Sequence, residues 1–354
     1  GTSTHTFNNL TSGTEYTIKV YVKDVAGNQS DEEELTAKTA MKASDIIAEL
    51  DPKPTTENMF ANVATTDEGT FYMEDPVYGG TSKFWRGAAT TNHVIFADKC
   101  WRIIRINGDG TIRLIYNGTP SSAEGSGASR TCTGNGANSA AVIMGSSNAE
   151  KYYATSDGKY DKSSYVGWTY TTGSQRPANT SSGTDSNAKT QTEKWYKEQI
   201  TDNGFDSKVA TGYFCNDRNT KDNEAWRETG STQYYAGYVR LSTNKTPSLD
   251  CPSGDRYNLK VGAITADEVS IAGGVYGQNN TSYYLYTGAN YWTMSPSYWY
   301  STSSRAFVFF VRGSDGCLTH TNVGYNAVGL RPVINLNADV VFEGDGDGTL
   351  KHPY

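Results

Sequence analysis

Clusters of basic residues are missing from this chain. It has 31 Lys and Arg against 38 Asp and Glu, a formal net charge of −7, and no basic run. A nucleic-acid partner requires cationic side chains gathered against phosphate, so nucleic acid is excluded as the main partner. Long apolar runs are also missing. No stretch approaches the roughly 18 apolar residues of a membrane span, so no membrane insertion is expected. None of the five cysteines forms a Cys-x-x-Cys pair, which argues against a zinc site. Neither a metal nor a cofactor is expected. Charge of either sign is scarce, at 19%.

Aromatics and small polar residues take that place. There are 25 Tyr and 36 Gly in 354 residues, with abundant Ser, Thr and Asn, a balance that suits a strand- and loop-rich extracellular protein better than a helical cytosolic one. The length allows two or three domains. The chain begins at Gly1 inside a strand pattern and ends at His352-Pro353-Tyr354; both ends read as cut. Four cysteines could form two disulfides in three connectivities. Cys100 with Cys132 and Cys215 with Cys251 is favoured, because each pair brackets a loop-rich insertion; free buried thiols are the alternative. Cys317 is left over.

Residues 1–40 hold three strand-like runs: His5 to Leu10, Glu15 to Asp24 and Glu34 to Thr39. The middle one alternates, with Tyr16, Ile18, Val20 and Val22 on one side. Residues 41–55 read as a connector, with Ser44 capping a short helix from Asp45 to Leu50 that Pro52 and Pro54 end. Phe71 to Met73 and His93 to Phe96 read as strands. A hairpin follows: Cys100 to Ile106, the turn Asn107-Gly-Asp-Gly110, and Thr111 to Tyr116. Its Asn-Gly and Asp-Gly pairs supply the positive φ angles of a tight turn. A calcium loop there would need carboxylates that are not present. Residues 117–190 are a long polar loop region. Asn117, Asn179 and Asn280 open Asn-x-Ser/Thr triplets, which the composition alone explains. Lys189 to Asp202 reads as a helix capped by Thr192 and stopped by Gly204. Thr265 and Glu268 form a capping box for a helix over 266–272, where Asp267 and Glu268 complement the helix dipole.

The stretch from Tyr291 to Arg331 organises the rest. Nine of its 41 residues are aromatic and four charged, a density that sets it apart. Ala306 to Val311 and Val328 to Leu336 read as buried strands. Around them sit Tyr, Ser, Thr, Asn, Asp, His and Gly without a period. A rigid frame carrying such residues is how a binding surface is built, since Tyr gives contact area at low entropy and Ser, Gly and Asn adaptable hydrogen bonds.

Two resemblances follow from these phrases. LTSGTEYTIKVYVKDVAGNQS, with Leu10 and Tyr16 in tyrosine-corner positions, resembles the end of a fibronectin type III domain, implying part of an all-β sandwich over 1–40, used as a spacer. KCWRIIRINGDGTIRLIYNG, GYFCNDR, ITADEVSIAGG, YWTMSP and GLRPVINL, in this order, resemble the C-type-lectin-like fold in its formylglycine-generating-enzyme-type form. That resemblance implies an α+β domain over 56–354 with long loop insertions. Within it, about 291–331 resembles the variable region of proteins diversified by retroelements, in which template adenines are mutagenised. From Ser297 to Ala327 no Lys, Glu, Gln or Met occurs, as substitution from an AAY codon implies, while Trp299, which such substitution cannot give, departs from it.

The resemblance implies a ligand-binding receptor or adhesin, with contacts from Ser297, Tyr298, Trp299, Tyr300, Ser303, Ser304, Arg305, Arg312, Ser314, Asp315, Thr319, His320, Asn322, Tyr325 and Asn326. The partner would be a protein or glycan ligand at a bacterial cell or phage surface. A fixed-sequence surface domain binding glycan or cell wall is the alternative. A formylglycine-type oxidase is the remote one: it needs a close cysteine pair, and Cys317 is the only cysteine after residue 251. No catalytic residue is therefore expected. The Glu-Pro-Asn, Gln-Pro-Asp and Trp-Asn-Asp signatures of calcium-dependent lectins do not occur.

Overall fold

The computed structural model describes residues 4–39, 41–42, 46, 50–126, 128–143, 152, 163, 166–170, 184–227, 229–342 and 346–354. Strand accounts for 33% and helix for 15%, so the protein is mixed and sheet-rich. The Cys100 hairpin forms, with Lys99–Ile106 antiparallel to Ile112–Tyr116; of the two expected pairs, Asp-Gly supplies the positive φ, at Gly110, and Asn-Gly does not. Gly108 is required at the turn because a Cβ there would lie 1.7 Å from the Gly79 carbonyl oxygen. Asn107 donates to Thr111 and Asn335, and Asp109 accepts from Thr111, which ties the turn to the neighbouring strand.

This hairpin is the middle of a nine-stranded sheet. On one side it pairs with Val333–Leu336 and beyond that Val209–Ala210. On the other lie Thr81–Gly87, Asp67–Glu74 and Lys53–Pro54. The chain thus returns to this hairpin more than 200 residues later, Ile334 opposite Leu114. A second, four-stranded sheet is ordered Gln233–Tyr234, Tyr291–Tyr300, Arg305–Val311, Leu318–Asn322. One apolar cluster joins the two sheets, from Trp101, Ile103 and Leu114 to Trp292, Trp299 and Phe310. Fully burying side chains of this kind contributes about 1.5–3 kcal/mol each.

Both expected disulfides are present, Cys100–Cys132 and Cys215–Cys251, and Cys317 is free and buried. Two disulfides are consistent with a secreted or extracellular protein. Among the described residues no helix is long and apolar enough to cross a membrane. Asn117 and Asn280 are buried, 4% and 3% exposed, which closes both triplets to a glycan; Asn179 lies outside the described residues.

Several elements differ from expectation. His5 to Leu10 forms no strand, having no strand partner among the described residues. The run from Glu15 stops at Val20; just beyond it, Asp24 accepts from Asn28 and Gly27 in a tight turn. It pairs with Glu33–Lys38 in a separate hairpin, and the Tyr16 hydroxyl accepts the Thr11 N–H at 2.8 Å. The helix near residue 190 spans Asn187–Tyr196 and starts earlier than expected. Ser186 caps it by accepting from Lys189, while Thr192 is interior, its hydroxyl donating to the Ala188 carbonyl. A π-helical turn, Lys197–Thr201, extends it. The short helix expected over 45–50 falls largely outside the described residues, of which Ile46 is helical and buried.

Candidate binding surface

The four-stranded sheet has an open face and a sealed one, and strand register decides which residues lie on each. Tyr234, Tyr298, Phe307 and Asn322 form one cross-strand row. The neighbouring row, Gln233, Trp299 and Ala306, points the other way. Successive side chains alternate across a sheet, so Trp299 goes into the core, fully buried, while Tyr298 and Tyr300 look outward. Two register shifts, between Trp292 and Pro296 and between Pro296 and Tyr298, set this parity.

The open face is a mesh of rings. Tyr298 is its hub: it stacks on Phe307 at 4.6 Å and meets His320 at 4.7 Å, Tyr238 at 5.7 Å, Tyr234 at 5.8 Å and Tyr300 at 6.2 Å. His320 sits between two hydroxyls, Nδ1 3.0 Å from Tyr276 and Nε2 3.1 Å from Tyr298. Burial among the rings lowers its pKa to about 4, so the imidazole is neutral at physiological pH. Burial also raises Tyr298 to about 12. Both groups therefore present hydrogen-bonding capacity without charge.

The expected contact residues divide into three groups. Tyr300, Ser303, Ser304, Arg305, Ser314, Tyr325 and Asn326 are exposed. Tyr298, Arg312, Asp315, Thr319, His320 and Asn322 are half-buried. Ser297 and Trp299 are buried and correct the expectation: their parity places them beneath the surface. The exposed and half-buried residues fall in two neighbouring regions. Tyr298, Tyr300, His320 and Asn322 belong to the aromatic face. Arg312, Ser314, Thr319 and Tyr325 line a groove with Asn290 and Thr321 that His320 also borders.

The turn at that groove is fixed from within. Arg312 Nε donates to both Asp315 oxygens, at 2.9 and 3.0 Å, and Nη2 to one at 2.5 Å. Much of the hydrogen-bonding capacity expected for a ligand is thus spent inside the turn. Gly316, at φ 69°, could carry no side chain, because a Cβ would meet the Asn280 carbonyl oxygen at 1.8 Å. Cys317 is also sealed, 2% exposed, so it is not an open position that accepts any side chain.

Four ring residues were not expected in the site. Phe307 comes from the central strand, Tyr276 from the loop after the capping-box helix, and Tyr234 and Tyr238 from a two-residue strand and the helical turn that follows it. The density of Tyr in QYYAGY, residues 233–238, was the available signal.

A second polar cluster lies between the large sheet and the helix Ala266–Ile271. Glu268 Oε1 is 2.6 Å from Arg113 and 3.1 Å from Arg105, which also holds Asp75 at 2.8 Å. Arg240 holds Asp267 at 2.7 Å and Asp217 at 3.1 Å. Asp267 and Glu268 therefore do more than complement a helix dipole. Burial alone would raise Glu268, but Arg113 and Arg105 outweigh it and hold the carboxyl below its ordinary value. These charges pair with one another inside the protein, and the cluster reads as a frame. Comparison with protein-family models, with curated proteins and with solved structures finds no match to this chain.

Proposed function

We propose that this chain is a ligand-binding protein of receptor or adhesin type, without enzymatic activity, displayed at a bacterial cell or phage surface. In this reading a fibronectin-like spacer precedes a C-type-lectin-like domain, and the hairpin Tyr291–Val311 with its following strand carries a surface diversified by a retroelement. The observation that supports it is the division within single strands. Tyr298 and Tyr300 project outward while Trp299 between them is locked in the core. An exposed residue such as Tyr300 can be exchanged at little cost in stability, and the inward ones cannot lose volume. The formylglycine-type oxidase finds no support in the thiols: four cysteines are in disulfides, and the fifth, Cys317, is buried and alone.

The decisive experiment is sequencing the locus. A second, near-identical copy of the segment for 291–331 should lie near a reverse-transcriptase gene. Codons for Tyr298, Tyr300, Ser304, Arg312, His320, Asn322 and Tyr325 should sit opposite adenine-rich codons, and those for Trp292, Pro296, Trp299, Gly329 and Arg331 should be identical in both copies. A complete locus with neither copy nor reverse transcriptase would leave a fixed-sequence surface domain. One observation favours that second reading: Tyr234 and Tyr238 extend the aromatic face with residues outside 291–331, so its ring content does not depend wholly on the diversified stretch.

A further inference from the structure

We infer that the corner of the aromatic face formed by Tyr234, Tyr238 and Tyr300 is a stacking site for the apolar ring face of a neutral pyranose within an oligosaccharide. The inference rests on the recognition reading above and names its ligand class.

Three observations carry it. The first is presentation. Tyr234 and Tyr300 are 37% and 40% exposed, yet each is backed by other rings. Tyr234 lies against Tyr238 at 4.8 Å and Tyr298 at 5.8 Å, and Tyr300 meets Tyr298 edge-on at 6.2 Å. Exposed rings held by neighbours present a flat surface at little further entropy loss. The C–H groups on one face of a pyranose are polarised towards the negative face of such a ring, and tyrosine adds a polar tip at the edge.

The second is size. Tyr234 lies across the sheet from Tyr298 and Tyr300 lies along the strand, so their centroids are no more than about 12 Å apart. That suits one or two sugar units. A stable protein partner buries about 800 Å² on each side, with a well-packed centre, and here only tyrosines among the large apolar residues of this sheet are exposed.

The third is chemistry at the rim. Ser303 and Ser304 are exposed in the turn after Tyr300, and Thr232 and Ser301 pair at 3.2 Å beside the strand pair that carries Tyr234 and Tyr300. Hydroxyls of this kind match sugar hydroxyls. Arg305 is the only charged residue of the turn 301–305 beside Tyr300, and His320 is neutral, so a polyanionic ligand would find little compensation there.

The test is calorimetric titration of the full chain with chitohexaose, maltohexaose and cellohexaose, with hexagalacturonate as the acidic comparator. Saturable binding of at least one neutral hexasaccharide is expected. Tyr234→Ala and Tyr300→Ala should each weaken it about tenfold, the scale of one lost ring stack. Tyr234→Phe should keep it within about threefold, and Tyr72→Ala, an exposed tyrosine on the other sheet, should leave it unchanged. Unfolding curves confirm that each variant is folded, and Tyr300→Ala serves if Tyr234→Ala is not. Absence of neutral-sugar binding at millimolar concentration, binding of the acidic hexamer alone, or binding that neither alanine variant weakens would overturn the inference. A protein that binds none of these sugars while its locus carries the second copy would lose the sugar site and keep the recognition reading.

Discussion

The nine-stranded sheet keeps arginines inside, whereas the four-stranded sheet holds tyrosines outside. Arg86, Arg102, Arg113 and Arg331 are each 1% exposed or less and Arg105 is 6% exposed. They are tolerated because most of their donors are used, and Arg113 faces the Glu268 carboxylate. Arg86 reaches the Met59, Asn62, Ser270 and Ile271 carbonyls, and Arg331 those of Tyr116 and Leu285. Arg102, bonded to Asn92, Asn135 and the Ala89 carbonyl, is lowered to about 9 by burial. In the smaller sheet Tyr234 and Tyr300 are left at the surface. The contrast shows which part is built for permanence: a buried charge tolerates little change in its neighbours, while a surface ring can be replaced.

The largest effects should come from crossing between these regimes. Trp299→Ser should destabilise by about 3–5 kcal/mol through a cavity and a buried hydroxyl, read from chemical denaturation. A loss below ~1 kcal/mol would mean the sealed face is not sealed. Glu268→Gln should lower stability by a similar ~3–5 kcal/mol, because Arg105 and Arg113 would share too little negative charge. Since the folded carboxyl of Glu268 lies below its ordinary 4.5, its contribution is present above that value and lost as pH falls through the folded pKa.

An intermediate effect is expected at the ring mesh. His320 titrates at about 4 when folded against 6.5 ordinarily, so the unfolded chain binds the extra proton between these values. Stability should therefore be full above pH 6.5 and decline as pH falls towards 4. His93, lowered to about 2 by burial and by Arg102, acts in the same direction. Comparing thermal midpoints of the wild type and His320→Gln across pH 7 to 4 isolates the ring mesh. The slope in the variant should be shallower, and an unchanged slope would remove His320 from the account. The smallest effects belong to Tyr300→Ser and Tyr325→Ser, within about 0.5 kcal/mol by the same denaturation assay. Tyr298→Ala, one position from Tyr300, should lose more, about 1–3 kcal/mol, because it takes the hub from five rings.

The sequence reveals what is local. The Asn-Gly-Asp-Gly turn, the Thr265–Glu268 capping box and the core role of Phe310 and Leu330 follow from neighbours a few residues apart. What it hides has two physical sources. Bulges shift strand parity, so Ser297 and Trp299 looked like their exposed neighbours. Long-range partners also have no periodic signal: Arg113 meets Glu268 and Tyr234 meets Tyr298 only once the sheets are formed. The cap of the helix near residue 190 was misplaced because two hydroxyl residues, Ser186 and Thr192, both precede apolar positions, and only packing selects between them.

The alternation at Tyr298, Trp299 and Tyr300 also bears on heredity. The inward row and its companions are Trp299, Ala306, Val308 and Phe310. Tryptophan, alanine, valine and phenylalanine are all spelled with no adenine in the first two letters of the codon, whereas every tyrosine codon has adenine as its second letter. A mutagenic process that acts on template adenine would pass over these four inward residues wherever the template spells them alike, and reach positions such as the two tyrosines. The pleat of one strand would then serve as a filter written in the genetic code, letting a lineage vary what it displays without gambling on whether the descendant folds.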